Sequence, residues 1–288
     1  MNELTTITSA KLEFTETLKK QKRASATILA YGNDIAQLEA FLAKKGISQI
    51  LAVNQTILDE FKAQMEKDGY TAKSISRKIN SIKTFFRVLQ NEGVIKDNPA
   101  ALLAHPKYET KPPRILSKVE YRALRDACRN DVRISAIVEL MLQTGLRISE
   151  VANLKIEDYK NDSLFIAAYE SHPERVIPLN KAAKTALERY LSQRPKDIKE
   201  KAIFVTKTGR SFLIRNIRSA IERYFSQADL KNVKVNDLRH TWVFYQLDAG
   251  VSVATIAKLA GHKRVSTTEK YLELIGSKKE QAAKLEEL

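Results

Sequence analysis

The chain has 288 residues, 43% of them hydrophobic and 29% charged, and its 49 Lys+Arg against 34 Asp+Glu leave a formal charge of +15. That length suits two domains, its apolar share excludes a disordered chain, and the charge points to a polyanionic partner. A single cysteine, Cys128, and four histidines exclude a disulfide framework and argue against a structural zinc site. Charges throughout the first thirty residues leave no signal-peptide core, and no apolar stretch reaches membrane-span length, so a soluble cytoplasmic protein with no membrane partner is expected.

The first part reads as all helix. A segment around Leu12 to Leu18 comes first, followed by Ile28, Ile35, Leu38, Phe41 and Leu42 on one face up to Gly46. Ile57, Leu58, Phe61 and Met65 make the next amphipathic run, ended by Asp68-Gly69. Ile75, Ile79, Ile82, Phe86 and Leu89 make the fourth, closed by Asn91-Glu-Gly93, which completes a small bundle over residues 1–104. Pro106, Pro112 and Pro113 mark residues 105–114 as a linker, because proline removes donors and disfavours helix.

Residues 115–288 read as mixed. Ser117-Lys-Val-Glu120 is a capping box opening a helix over 118–128, and helical periodicity continues over 132–143. Ser163–Ala168 and Arg175–Leu179 read as two short strands around the turn 169–174, with a helix at 181–192 and a further apolar strand at Ala202–Val205. A basic helix over 212–226 leads into a helical last third that ends in a detachable tail, 278–288. The fold class is therefore mainly α with a small β-sheet.

Charge is unevenly shared. Residues 1–110 hold 16 basic and 12 acidic side chains, and residues 111–288 hold 33 and 22. The densest positive group is Lys207, Arg210, Arg215, Arg218 and Arg223, although Arg223 lies about 140° round the helix from Arg218 and Glu222 interrupts the run. By itself the group is compatible with a solvated helix face.

Three segments carry chemistry in combination: Thr144-Gly-Leu-Arg147-Ile-Ser-Glu150, Asn236-Asp-Leu-Arg239-His240-Thr-Trp242, and Leu259-Ala-Gly261-His262 followed by Ser266-Thr-Thr-Glu-Lys-Tyr271. In this order, with nine residues from His262 to Tyr271, they resemble the tyrosine recombinase (lambda-integrase-like) family, the Xer-type members most closely. The first part resembles the family's SAM-like helical core-binding domain, including Ser74-Ile-Ser-Arg77-Lys78-Ile79 and Asn98-Pro99. The second part resembles its catalytic domain.

The resemblance implies site-specific recombination of double-stranded DNA without metal, cofactor or ATP. Tyr271 attacks a phosphodiester to give a 3′-phosphotyrosyl link, which conserves the bond energy for resealing. Arg147 and Arg239 stabilise the phosphorane, since planar guanidinium forks donate bidentately and remain charged. His262 adds a hydrogen bond to the same phosphate, and Glu150 is a supporting carboxylate that positions its neighbours. His240, about a hundred degrees round a helix from Arg239, reads as structural or supporting. Arg77, Lys78, Lys207, Arg215, Arg218 and Arg223 are the candidate DNA contacts.

Two positions depart from the family pattern. Asn236 stands where a histidine is usual, and an amide cannot take the nucleophile's proton. Glu170 stands at the usual place of a lysine that protonates the leaving 5′-oxygen, where a carboxylate would repel the phosphate. His172, in the same turn, is the nearest substitute acid, with Lys160 and Lys207 more distant.

Other readings stay open on the sequence. Ser252 to Thr268 resembles the helix–turn–helix of small repressors, which bind DNA without cutting it. A recombinase fold with weakened or lost catalysis would serve as an architectural factor, and type IB topoisomerases share the chemistry. The resemblance further implies a homotetramer on two duplexes, with the tail 278–288 docking on a neighbouring protomer or folding back on its own domain.

Overall fold

The structure is a computed structural model and describes residues 5–109, 111–168, 173–195 and 198–285, with side chains as far as Gly276 in the last helix. The chain forms two compact units, residues 1–110 and 111–288.

The first unit has four helices, α1 (Ile7–Lys20), α2 (Ser25–Lys44), α3 (Gln55–Lys67) and α4 (Ala72–Asn91). Three of them start on a side-chain cap: Thr6, Asn54 and Thr71 accept from the backbone amides of Ser9, Ile57 and Ser74. Their apolar faces meet around Phe14, Ile35, Leu38, Leu42, Ile79, Ile82, Phe85 and Phe86, all buried. Phe14 meets Phe85 edge-on at 5.3 Å, an arrangement favoured by the ring quadrupoles. Burial of such side chains stabilises the bundle by about 1.5–3 kcal/mol each.

One polar cluster sits inside this core. Asp34 of α2 accepts two hydrogen bonds from the Arg77 guanidinium, one from Lys78 Nζ at 3.0 Å and one from Ser81 Oγ at 2.7 Å. Burial alone would raise the Asp34 carboxyl, but the bonds from Arg77, Ser81 and Lys78 outweigh it and hold the group below its usual range.

In the second unit, helix α5 (Lys118–Cys128) opens on the expected capping box: Ser117 and Glu120 each accept the other's backbone amide. Helix α6 (Val132–Thr144) runs through the core and buries Ile134, Ile137, Val138, Leu140 and Met141. It is surrounded by α8 (Lys181–Gln193), α9 (Ile214–Gln227) and α10 (Val235–Asp248), with the short α7 (Ile148–Asn153) at its end. Helix α11 (Val253–Ala260) and α12 (Ser266–Leu285) close the unit with a second apolar cluster around Trp242, Phe244, Ile256 and Ile275. The tail expected at 278–288 is not a separate element: as far as Leu285 it continues the helix that carries Tyr271.

The sheet is antiparallel in the order β1 (Tyr159–Lys160), β2 (Ser163–Ile166), β3 (Arg175–Pro178). Leu164 pairs with Ile177 and Ile166 with Arg175, all four buried, while the Phe165 and Val176 pair is exposed. Between β1 and β2, Asn161 and Asp162 take φ 50 and 56, the two left-handed residues of a type I′ hairpin. The strand expected at Ala202–Val205 does not form. Those residues are buried but make only isolated bridges, Lys155 to Ala202 and Val205 to Ser211, because Arg194 takes carbonyls that a ladder would use.

Helix α6 stops on Gly145, whose φ of 65 favours glycine. A Cβ there would stand 2.2 Å from Trp242 Cε3. Gly145→Ala is therefore expected to lower stability by about 3 kcal/mol, combining left-handed strain with overpacking. Urea unfolding checks this: a change under about 1 kcal/mol would mean that Trp242 moves aside easily.

Candidate active site

Glu150 is the hub on which the site is built. As the third residue of α7, it accepts the backbone amide of Arg147 at 2.8 Å and so caps its own helix. It also accepts Arg147 Nη1 at 3.0 Å and a bidentate pair from Arg175 at 3.0 and 2.9 Å. Burial alone would raise this carboxyl, but Arg175 and Arg147 more than offset that and hold it low. Its acceptor capacity is filled by these four bonds, which fix the Arg147 and Arg175 side chains in place.

Three guanidiniums then grip one turn. Arg175 Nε donates to the Leu259 carbonyl at 2.7 Å, and Arg147 donates to those of Ala260 and Gly261 at 3.3 and 3.1 Å. Arg239 of α10 donates to the carbonyls of Gly145 and Ala260. Gly261, at φ 66, lets the turn lie against Arg175: a Cβ would come 2.9 Å from its Nη1. The turn that presents His262 is thus locked to both arginine segments.

The charge is unbalanced. Arg147 and Arg175 share the carboxylate of Glu150, whereas Arg239, only 4% exposed, donates here to carbonyls alone. Burial, followed by the nearby Arg147, pulls the Arg239 guanidinium down to about 9. A buried cation held by neutral acceptors is stabilised by any anion that reaches it, which is the electrostatics of a phosphate site.

His262 follows the turn. Its Nδ1 lies 2.7 Å from the Oγ1 of Thr268, which is fully buried. When Thr268 donates, the ring proton sits on Nε2, which is then a donor. Burial and the two arginines 239 and 147 hold the imidazole down to about 4, so it is neutral at physiological pH. Tyr271 lies on the inward face of α12, 5% exposed, in the cluster with Trp242 and Ile275. Burial pushes its phenol up to about 12.

The structure brings Arg147, Glu150, Arg239, His262 and Tyr271 into one constellation and adds residues that the sequence reading passed over. Arg175, read only as a strand residue, is bidentate to Glu150; its signal was a charge at an inward strand position beside Ile177. Thr268 holds His262. His240, read as structural or supporting, is hydrogen-bonded through Nδ1 to the Tyr271 hydroxyl, and through Nε2 to the Asn236 amide at 2.7 Å. Its position was judged against Arg239, whereas the useful neighbour was Asn236, four residues away and on the same helix face.

Other candidates fall elsewhere. Glu170 and His172 lie outside the described residues, and Lys160 is exposed at the end of β1. Lys207, Arg215, Arg218 and Arg223 are exposed, the last stacked on Tyr224. Lys78 needs correction as a DNA contact. It is buried, and its ammonium is spent on Asp34 and Gln37. Arg77 shares that carboxylate but has a half-exposed side chain. The segment resembling a repressor helix–turn–helix is α11, the Gly261 turn and α12, but its turn and inner face are taken up by the arginines, His262 and Tyr271.

Comparison with known proteins gives the family and the fold. Residues 114–276 match the phage integrase family and residues 12–93 its N-terminal SAM-like domain. The chain is 30% identical over 274 residues to the tyrosine recombinase XerC of Oceanobacillus iheyensis, covering 90% of this chain and 89% of that one. It is 28% identical over 292 residues to XerD of Rickettsia conorii, covering 91% and 93%. Among solved structures, a lambda integrase dimer bound to a core site aligns with a TM-score of 0.73 at 16% identity, covering 91% of this chain and 97% of that one. A lambda integrase tetramer bound to a Holliday junction aligns with 0.73 at 17% identity, covering 90% and 78%. Among the described residues, no helix is long and apolar enough to cross a membrane. The chain belongs to the phage integrase family, as a recombinase of the tyrosine class.

Proposed function

We propose that this recombinase cleaves and rejoins double-stranded DNA at specific sites, with Tyr271 as nucleophile and Arg147, Arg239 and His262 around the scissile phosphate. The observation that carries the reading is the surplus of guanidinium beside a buried tyrosine: Arg147 and Arg175 on the one carboxylate of Glu150, and the buried Arg239 on carbonyls alone. In the first step the Tyr271 oxygen bonds to phosphorus and the bond to the 5′-oxygen breaks. The guanidiniums meet the charge that builds on the non-bridging oxygens, a term worth about 10²–10³ in rate for one preorganised donor. His262 donates Nε2–H to the same phosphate. His172 remains our assignment for the proton that the 5′-oxygen requires.

Residues 1–104 are assigned to core binding, 105–114 to the linker and 115–288 to catalysis. Arg77, Lys207, Arg215, Arg218 and Arg223 are assigned to phosphate contacts, so that affinity falls steeply with salt. We also assign a homotetramer on two duplexes and action in the cytoplasm, where the DNA lies. The tail is proposed to dock on a neighbouring protomer, and as the continuation of α12 it would report directly on Tyr271.

The test uses a nicked suicide duplex selected from a random pool by the protein itself. A covalent adduct on a denaturing gel is expected for the wild-type chain, with none for Tyr271→Phe. A shift in a native gel with no adduct would overturn the catalytic reading.

A further inference from the structure

We propose that His240 is the general base that takes the phenolic proton of Tyr271, with Asn236 as the residue that sets its tautomer. The inference rests on the reading of Tyr271 as the nucleophile and supplies the proton acceptor that Asn236 itself cannot be.

The geometry is a three-member relay. His240 Nδ1 is hydrogen-bonded to the Tyr271 hydroxyl, with ring centroids 5.9 Å apart, and Nε2 lies 2.7 Å from the Asn236 amide. Asn236 and His240 are one helical turn apart, on the same face of α10. No other described imidazole is bonded to Tyr271: His262 is engaged with Thr268 on its Nδ1.

The polarity of the relay depends on the asparagine. With Nδ2 of Asn236 donating to Nε2, the ring carries its proton on Nδ1 and donates to Tyr271, which is the resting arrangement. A half-turn of the amide presents Oδ1 instead. Nε2 then carries the proton, the Nδ1 lone pair faces the phenol, and Tyr271 becomes the donor. Asparagine can take either orientation with the same shape, which a histidine at 236 could match only by changing its own tautomer.

The proton balance closes. As the Tyr271 oxygen bonds to phosphorus, its proton moves to Nδ1, and the imidazolium is held by Tyr271 on one side and Asn236 Oδ1 on the other. On resealing, the bond between phosphorus and Tyr271 breaks and Nδ1 returns the proton to the leaving phenolate. Burial, with Arg239 adding to it against the opposing pull of Asp237, holds His240 below its usual value and so favours the neutral ring, which accepts at Nδ1 once Asn236 presents Oδ1. With Tyr271 pushed up to about 12, unaided ionisation supplies almost no phenolate.

The experiment measures single-turnover adduct formation on the nicked duplex. His240→Ala is expected to slow it about 10²–10³-fold with DNA binding unchanged. His240→Gln, which keeps a polar side chain but accepts no proton, is expected to lose as much, and decides the matter should the alanine variant unfold. Asn236→Ala is expected to lose about tenfold, since no Oδ1 is left to hold the Nε2 proton of the imidazolium. Replacing Tyr271 with a fluorotyrosine of lower phenol pKa is expected to recover much of the rate in His240→Gln, which a merely structural role would not permit. A duplex whose 5′-bridging oxygen is sulfur, and whose leaving group needs no proton, is expected to leave the His240→Gln defect unchanged. Wild-type rates in both His240 variants, or recovery with the sulfur substrate but not with fluorotyrosine, would overturn the inference while the Tyr271 adduct of the parent chain stands. Absence of that parent adduct would overturn the nucleophile reading and this one together.

Discussion

Arg239→Lys is expected to lower the rate of Tyr271 adduct formation by about 10²–10³-fold, while affinity for the duplex changes little. Arg239 donates to the carbonyls of Gly145 and Ala260 and still has guanidinium hydrogens to offer an anion. A lysine ammonium is a point charge with three donors on a flexible stem. It cannot hold two carbonyls in a planar fork and present a second edge to phosphate. We assign duplex affinity mostly to exposed cations such as Arg215 and Arg218, which the substitution leaves in place. Single-turnover cleavage beside a gel-shift titration separates the two effects. Equal losses in both, or a lysine variant that cleaves within about threefold of the parent, would show that only net charge at 239 matters.

Glu150→Gln is expected to destabilise the second unit by about 3–5 kcal/mol and to reduce cleavage by at least as much as Arg239→Lys. The glutamine would leave Arg175, 7% exposed, without its bidentate acceptor, and its single remaining oxygen cannot serve Arg175 together with the Arg147 amide and guanidinium. Breaking one member of a buried ion pair costs far more than the pair contributes, because the remaining charge stays desolvated. The companion variant Glu150→Gln with Arg175→Leu is therefore expected to recover part of the stability, since the most deeply buried of the guanidiniums that Glu150 pairs is removed with it. Cleavage should stay low in it, because the Arg175 grip on Leu259 and the Glu150 hold on Arg147 are both lost. Urea unfolding of the three proteins checks the first statement and adduct formation the second. A double variant no more stable than Glu150→Gln alone would show that Arg175 contributes by packing rather than charge.

Elements with a local cause were legible in the sequence. The bundle helices followed from apolar periodicity and stop residues, and α5 from its capping box, because both features act within a turn or two of chain. Elements whose cause is distant were missed or misassigned. The pair Tyr159–Lys160 is too short to show alternation and is a strand only because Asn161 and Asp162 fold it onto β2. Ala202–Val205 has strand composition, but its would-be ladder carbonyls are taken by Arg194. Lys78 resembled its basic neighbour Arg77, yet one faces Asp34 from inside the core and the other from its edge.

The sequence by itself determined the family, the division into two units, and the residues we propose for the phosphate, since order and spacing along the chain carry that information. Only the tertiary structure decided how the surplus charge is arranged. Glu150 and Arg175 are 25 residues apart, and Arg239 lies 94 from Gly145, so no local pattern links them. The same is true of His240 and Tyr271, 31 residues apart on two helices that meet only when the core around Trp242 closes. Proton transfer and buried charge both require contact and exclusion of water. Those are properties of packing, which a motif can specify but cannot display.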